Sequence, residues 1–315
     1  RRPQRSTHKP SSAASDVYKR QVGSLQKILL RLRLEKDKSY RTEMITKYKI
    51  TQFLEGRLQI TKMRTDINYT FKVEDIDKEG NYWVKITYDS IYFEQDGPMG
   101  KIEYNSSNPP KNIHPLALPF SLLKEQSFRM KLTPKGDIKE IEGVNAMITR
   151  MVEALGIPEE TEKTSFERTF KEHFGEQAIR ETFQKVTAVY PREAVGINDS
   201  WSACLALTKG FPMIIQSEYI FKSYKDETAY IEVHSKVKPN LEAPPLKIGS
   251  VIMRYNFYGE MDGTVVLDVP TGWVDSLELT HKSSGRIEIK DTLSPSQSLS
   301  WPITVEGTFI LKSQK

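Results

Sequence analysis

Apolar and polar residues alternate with a period of two along most of this chain, and this restricts its fold more than any other feature. Residues 67–74 show the pattern most clearly, because Ile, Tyr, Phe and Val occupy every second position. A chain with this period buries one face of a β-strand and leaves the other in water. Residues 82–88 repeat the pattern after an Asp-Lys-Glu-Gly-Asn turn at 77–81, so the pair is predicted to form a β-hairpin.

The same alternation recurs before and after this hairpin. It is present in residues 30–34, 40–53, 58–63, 128–132, 219–221, 229–237, 251–258, 263–269, 273–280, 285–290 and 303–311. Turns that contain Gly or Pro, at 134–136, 262–263, 270–272 and 282–285, join several of these segments. Strands joined by such short turns pair antiparallel, because parallel pairing needs a long crossover.

The middle of the chain, residues 143–190, follows a different period. Its apolar residues fall three or four positions apart in three stripes, at Val144, Met147, Ile148, Met151, Val152 and Leu155, at Phe166, Phe170 and Phe174, and at Ile179, Phe183 and Val186. Such stripes are typical of amphipathic helices that pack against a core. We therefore expect a helical cover on the sheet here, and a further short helix within residues 115–126.

Together these patterns predict an α+β fold that is mainly antiparallel β. Two β-rich halves, residues 25–142 and 191–315, are expected to form curved sheets or half-barrels, joined by the central helical segment 143–190. Three features recur in the same order in both halves: a Ser-aromatic strand start at 39–40 and 200–201, an aromatic strand at 69–72 and 219–222, and a Pro-x-Gly turn at 134–136 and 270–272. The halves are either related by an internal repeat or alike by coincidence, because such features are common in strand-rich chains.

Residues 1–24 differ from the rest in composition. They are rich in Ser, Arg and Pro, and residues 11–21 resemble a translated sequencing-adapter read-through. We expect this segment to be disordered and artefactual, so that the native N-terminus and any signal sequence are missing. No run of about 18 apolar residues occurs, so no transmembrane segment is predicted.

The charge pattern bears on nucleic-acid binding, and the cysteine content bears on disulfides and metal clusters. The net charge is +5 over 315 residues, and Lys and Arg alternate with Asp and Glu instead of forming a basic block. This argues against nucleic-acid binding. Cys204 is the only cysteine, so an intramolecular disulfide and a cysteine metal cluster are both excluded. We expect Cys204 to be a small core residue, in keeping with the usual burial of free cysteine.

No catalytic, metal or cofactor motif is present in the sequence. Gly-x-Ser-x-Gly, the phosphate-binding glycine loop and His-Glu-x-x-His are all absent. The best acidic set is Asp262, Asp268 and Asp275, with Glu260 nearby. A calcium loop places ligands at every second residue, whereas these three lie six or seven apart, so turn chemistry is favoured over a cation site.

Glu232, His234 and Lys236 share one face of a predicted strand whose opposite face is apolar. We expect this polar face to be in water. A hydrolase would instead require His234 or His281 to lie beside two acids in a cleft. A curved sheet that helices fill only in part would leave an apolar cleft for a lipid or another small hydrophobe, although no residue marks its position.

Four motifs resemble those of a bacterial family of unknown function, made largely of β-rich secreted proteins and lipoproteins. They are Lys36-Asp37-Lys38-Ser39-Tyr40, the stretch from Val73 to Tyr82 with its Gly80-Asn81-Tyr82 end, Leu132-Thr133-Pro134-Lys135-Gly136, and Val195-Gly196-Ile197-Asn198-Asp199-Ser200-Trp201. The resemblance covers nearly the whole chain after residue 27. It implies a location in the cell envelope and no assigned activity, and it offers no catalytic residues. The chain lacks the lipoprotein cysteine near its start, which a foreign N-terminus explains.

The favoured function is therefore an extracytoplasmic, non-enzymatic protein of the periplasm or cell envelope that binds an apolar small molecule or an envelope component. The alternative is a structural or protein-interaction module, and a hydrolase whose site assembles only in the fold is less favoured. No cofactor is expected. The sequence does not name a ligand, a partner or an oligomeric state.

Overall fold

The computed structural model describes residues 27–54, 56–248, 250–291 and 298–314, and the predicted segment 1–24 lies outside these ranges. Within them the chain forms thirteen β-strands and four α-helices. The strands are β1 Ser39–Leu54, β2 Arg57–Ile76, β3 Tyr82–Gly97, β4 Gly100–Asn105, β5 Ser127–Leu132, β6 Ile138–Glu142, β7 Ser200–Leu207, β8 Met213–Lys225, β9 Thr228–Pro239, β10 Leu246–Ile248, β11 Val251–Asp268, β12 Val274–Asp291 and β13 Ser298–Gln314. The hairpin predicted at 67–88 corresponds to the second half of β2 and the beginning of β3.

All strands belong to one antiparallel sheet, which confirms the predicted strand pairing. Its order is β6-β5-β3-β2-β1-β13-β12-β11-β9-β8-β7, with β4 paired to β3 and β10 paired to β11. The first strand pairs with the last, from Arg41 opposite Gln314 to Gln52 opposite Ile303. Strands β6 and β7 form the two free edges and do not pair in the described part of the chain, so the sheet stays open.

The helices are α1 Leu118–Ser121, α2 Val144–Glu153, α3 Glu160–Phe174 and α4 Glu176–Thr187, and the last three lie between β6 and β7 in the chain. Their apolar stripes are buried, as predicted, at Met147, Ile148, Met151, Phe170, Phe174, Ile179 and Phe183. On α4, the ring of Phe183 makes edge contacts with Tyr69 and Phe71 at 5.6 and 5.8 Å. Contacts of this geometry stabilise a core beyond the area that they bury. None of the helices in these ranges has the length and apolar run needed to cross a membrane.

The prediction of a half-exposed strand at 30–34 is wrong. The segment is extended but lies outside the sheet, with Leu30, Leu32 and Leu34 buried and Arg31 buried between them. Its backbone pairs with two turns, because Leu32 N–H donates to the Pro134 carbonyl and Arg33 N–H donates to the Thr271 carbonyl. Arg31 is thus covered, which local alternation does not reveal, whereas Arg33 is exposed as the alternation predicts.

The predicted turns at 262–263 and 282–285 are also wrong, because β11 and β12 pass through them without a break. Both glycines there lie where strands approach closely. A Cβ on Gly263 would overlap the carbonyl oxygen of Glu278, and one on Gly285 would overlap that of Asn256. Glycine at these positions serves close backbone approach instead of a turn. The turns at 134–136 and 270–272 form as predicted, with φ of +81° at Gly136 and +69° at Gly272.

The helix predicted within 115–126 is shorter than expected. Pro115–Ala117 form a single 3₁₀ turn, and α1 follows with only four residues. Leu123 N–H still bonds to the Phe120 carbonyl, after which the chain turns into β5.

Strands β1 and β7 begin in the same way. Asp37 and Asn198, just before them, have left-handed backbones with φ of +66° and +72°. The Asp37 N–H donates to the carbonyl of Val73 on β2, and the Asn198 N–H donates to that of Phe221 on β8. Both halves therefore begin with a left-handed residue, two positions before the first strand, whose N–H bonds to the neighbouring strand.

Candidate functional site

Helix α4 runs along the gap between the free edges β6 and β7. On one side, the Arg180 guanidinium donates to the carbonyl of Ile138 at 2.7 Å, at the start of β6. On the other, the buried carboxylate of Glu181 accepts from Thr208 N–H at 2.8 Å and from Lys209 N–H at 3.0 Å, just after β7. The helix thus spans the open side of the sheet without closing it.

Beside the C-terminal end of α4 this open side forms a cleft of about 2060 Å³, which we call the seam cleft. Its walls are residues 135–138, the end of α4, residues 190–195 and strand β7 with its neighbours. Since the cleft wraps around the free edge of β7, residues from both faces of that strand line it. Clefts that hold small molecules usually enclose roughly 300–1000 Å³, so the seam cleft is large enough for a ligand.

The floor of the seam cleft is the inward face of β7, formed by Trp201, Ala203 and Leu205. The Trp201 ring stacks on Tyr219 with centroids 5.7 Å apart, and its Nε1 donates to the Val189 carbonyl at 2.9 Å. These contacts fix an aromatic surface in the cleft. Beside it, the hydroxyls of Ser217 and Ser235 bond to each other at 2.8 Å.

The outer lip of the cleft carries His234. Its Nδ1 lies 2.8 Å from an Asp262 oxygen and its Nε2 lies 3.6 Å from a Glu232 oxygen. The hydrogen bond to Asp262 is the main cause of the raised pKa of His234. His234 is exposed, as predicted for this face of the strand.

This cluster places a histidine beside two acids, which is the arrangement that a hydrolase would need. Ser202 shares the cross-strand row of His234, but Glu218 on β8 stands between them. Two strand spacings amount to about 9.6 Å, whereas a base activates a nucleophile within about 3.2 Å. Ser202 is therefore too far from His234 to act as its nucleophile.

The prediction that Cys204 lies in the core is wrong, because its side chain is exposed. Trp201, Ala203, Leu205 and Leu207 point inward, so Cys204 points outward on the strand's other face and lines the cleft lip. The alternation in the sequence already contained this information.

The predicted acidic set does not come together. Asp268 accepts from Thr271 N–H at 3.0 Å, as expected for turn chemistry, while Asp262 bonds to His234. Among the described residues, no group of three or more His, Cys, Asp or Glu is arranged to hold a metal ion.

Beneath α4 the core contains a second cavity of only about 40 Å³. Its lining is apolar apart from threonine and tyrosine, and includes Phe71, Phe183 and Trp273. Thr42 also faces it, and its hydroxyl is the one buried side-chain polar atom without a hydrogen-bond partner in the described part of the chain. A cavity of this size does not accommodate a lipid.

Sequence reasoning missed a buried polar group under the sheet. His281 is buried, and its Nε2 lies 2.6 Å from the Ser283 hydroxyl. Burial first, and the Lys185 charge second, lower the pKa of His281 to about 4. Burial also lowers the pKa of Lys185. The only signal in the sequence is that His281 lies in phase with the apolar residues Leu277 and Leu279 of its strand.

The sequence model described as "Family of unknown function (DUF6263)" matches residues 79–274, more than half of the chain. No curated protein matches. A solved structure titled "Lipid-protein interactions in lipovitellin" aligns with 90% of this chain at 10% identity and a TM-score of 0.49. The aligned part is 26% of that protein, so this chain spans about a quarter of its length. The family match confirms the resemblance to a family of unknown function.

Proposed function

The chain belongs to the family of unknown function DUF6263, which carries no assigned activity, and we propose that it is a non-enzymatic protein that binds an apolar ligand in the seam cleft. The observation that carries this proposal is the open side of the sheet. There, α4 holds β6 and β7 apart and leaves a cleft floored by Trp201, Ala203 and Leu205.

The tight packing of the rest of the core supports the seam cleft as the ligand site. The cavity beneath α4 is about 40 Å³, so an apolar ligand would have to unfold the core to enter there. The seam cleft offers space without rearrangement. Its lip also carries charged groups of both signs, such as Lys135, Asp137 and Lys236. A ligand with an apolar body and a polar end suits this lining best.

A fluorescent fatty acid titration tests the proposal. The folded protein is expected to bind the probe saturably, with an equimolar endpoint. Ala203→Trp places an indole on the cleft floor and is expected to abolish binding, because the ring occupies the ligand's space. Ala206→Trp makes the same change on the same strand, at a residue that does not line the cleft, and is expected to bind as the unmodified chain does. Absent binding, or equal effects of the two variants, would contradict the proposal.

We also infer an extracytoplasmic location, in the periplasm or cell envelope. Its support is the sequence resemblance to secreted proteins and lipoproteins. The native coding sequence upstream of residue 27 tests this inference. A leader with a basic start, an apolar stretch and small residues is expected, and a native start without one would contradict it.

The two β-rich halves are best explained as a duplicated unit. This inference is supported by the matching entries into β1 and β7, at Asp37 and Asn198, and by the shared strand order. In each half the strands lie side by side in chain order, β1-β2-β3-β5-β6 and β7-β8-β9-β11-β12-β13, so the second half has the additional strand β13.

The second candidate function is a protein-interaction module, favoured by the unpaired edge of β7. Free strand edges pair with extended segments of other chains. If the probe does not bind and the β7 amides gain protection from hydrogen exchange as the protein concentration rises, this candidate replaces the first.

A further inference from the structure

The free edge of β7 carries none of the features that usually protect an edge strand. Its eight residues, Ser200–Leu207, include no charged residue and no proline, and its pairing with β8 has no bulge. The opposite edge, β6, has five residues, three of them charged, and Arg180 covers the Ile138 carbonyl at its start. Natural edge strands rely on charge, proline, bulges or a cover to prevent pairing with other chains. The β7 edge is therefore open to an added strand.

The backbone of β7 presents its hydrogen-bonding groups to this edge at every second residue. Phe221 N–H on β8 donates to the Asp199 carbonyl at 3.0 Å, in register with the β7–β8 pairing. Because the direction of the backbone groups alternates along an antiparallel strand, the odd-numbered residues of β7 bond to β8 and the even-numbered ones face the free edge. In the seam cleft the edge-facing residues are Ser200, Ser202 and Cys204. No strand in the described part of the chain pairs with them on that side.

The seam cleft surrounds this edge on both faces of the strand. Trp201, Ala203 and Leu205 line it from the inner face, and Ser202 and Cys204 line it from the outer face. An occupant beside β7 thus meets apolar side chains on one face, small side chains on the other, and backbone donors and acceptors between them. An extended peptide with apolar side chains at every second position matches all three. An acyl chain would cover only the apolar floor, because it offers no hydrogen-bonding group to the edge.

We propose that the ligand of the seam cleft is an extended peptide segment that pairs antiparallel with β7 and places alternate apolar side chains on the cleft floor. The inference rests on the proposed function, since it names the ligand class of the same cleft. Peptides that add a strand to a sheet gain affinity from main-chain hydrogen bonds and specificity from alternate side chains.

The surroundings of the edge support a single antiparallel segment. Every strand pair in the described sheet is antiparallel, so the added strand is expected to keep this direction. Residues 135–138 and 190–195 wall the cleft around the edge. Such walls suit one extended segment better than the edge of a second folded sheet.

A capped peptide of alternating Thr and Leu, with Lys at each end for solubility, tests the proposal on the full chain. In the expected register its leucines lie on the floor side, opposite Ala203, and its threonines lie opposite Ser202 and Cys204. Residue-resolved hydrogen exchange is expected to show added protection at the Ser202 and Cys204 amides. The Ala203 amide already bonds to β8, so its protection is expected to stay the same.

Two N-methylated versions of the peptide are the matched controls. N-methyl groups on the threonines remove the donors that face β7, and we expect them to weaken binding at least about tenfold. N-methyl groups on the leucines face away from β7 and are expected to leave binding unchanged. Equal effects of the two versions, or sensitivity to the leucine amides alone, would overturn the inference.

Ser202→Pro tests the edge from the side of the protein. Proline removes an N–H that faces the free edge, whereas the hydrogen bonds between β7 and β8 remain. The variant is expected to unfold cooperatively in urea and to bind the peptide at least about tenfold more weakly. If it does not fold, the two methylated peptides still decide the question on the unmodified chain.

The remaining outcomes separate this inference from the proposed function. Full peptide binding by folded Ser202→Pro, or protection of the β7 edge before peptide is added, would overturn the inference. A fluorescent fatty acid that binds when the peptide does not would overturn this inference alone. Failure of both probes to bind would contradict the proposed function as well.

Discussion

Glu181 on α4 accepts hydrogen bonds from both the backbone N–H and the hydroxyl of Thr208, at 2.8 and 2.6 Å, just beyond the end of β7. The same helix reaches the opposite edge of the sheet through Arg180. The gap between β6 and β7 is thus a fixed feature of the fold, and the seam cleft exists because a helix occupies the place where two strands would otherwise pair.

Removing the Glu181 carboxylate, which anchors α4 to the chain just after β7, should destabilise the protein. Glu181→Ala leaves the N–H groups of Thr208 and Lys209 without an acceptor in a partly buried position. We expect a loss of about 2–3 kcal/mol in the free energy of unfolding, measured in urea. Glu172→Ala removes only an exposed partner of Lys209 and is expected to cause no measurable change. Equal losses in the two variants would show that Glu181 does not anchor the helix.

The glycines inside the long strands should tolerate no side chain. Gly263→Ala brings a Cβ onto the backbone oxygen of Glu278, which cannot move without disturbing the sheet. We expect a loss of about 3 kcal/mol in thermal or urea unfolding. Gly196→Ala, whose Cβ would lie 3.6 Å from an Asp199 oxygen, is the control and is expected to change stability by less than about 0.5 kcal/mol. A tolerated Gly263→Ala would contradict the close backbone approach of β11 and β12 at this position.

The unpaired hydroxyl of Thr42 predicts a stabilising substitution. Thr42→Val keeps the shape of the side chain and removes a buried polar atom that has no partner in the described chain, so stability should rise by about 1 kcal/mol. Thr133→Val is the contrast, because its hydroxyl accepts from Asp137 N–H at 3.1 Å and donates to that side chain. It should lose about 1 kcal/mol. Destabilisation by Thr42→Val would mean that the hydroxyl has a partner in the adjoining cavity.

His281 should make stability fall in acid. Its pKa in the folded state is about 4, below the ordinary 6.5, so the unfolded chain binds the proton more tightly. The contribution of neutral His281 to the free energy of unfolding is therefore complete above pH 6.5. It is lost as the pH falls towards 4, by about 3 kcal/mol in total. Urea unfolding at pH 7.5 and near pH 4 measures it, and His281→Gln should remove this part of the loss. The same acid loss in the variant would contradict the assignment.

Much of the fold follows from local pattern. Period-two alternation locates β2, β3 and β9, because an antiparallel strand with one face in water alternates buried apolar residues with exposed polar ones. The stripes of α2 to α4 are equally explicit, and Phe170 and Phe183 are buried as their spacing predicts. Both periods are set by the geometry of a single helix or strand, so a short window of sequence reveals them.

Apart from Cys204, whose exposure the local alternation already indicates, the errors arise where contacts are distant in sequence. Arg31 is buried because its guanidinium donates to the carbonyls of Pro191 and Arg192, which no local pattern indicates. The pairing of β1 with β13, the proximity of His234 to Asp262, and the gap that α4 occupies have the same origin. A cleft formed by strands that do not pair leaves no motif behind.

The unique cysteine allows the most direct test of ligand binding in the seam cleft. With a fluorophore attached to Cys204 on the cleft lip, a spin-labelled fatty acid should quench the emission saturably as it binds. A fluorophore on Cys204→Ser/Lys111→Cys, at a residue that does not line the cleft, should show only weak, non-saturating quenching. Saturable quenching at Cys204 alone is the predicted result, and equal quenching at both positions, or none at either, would contradict it.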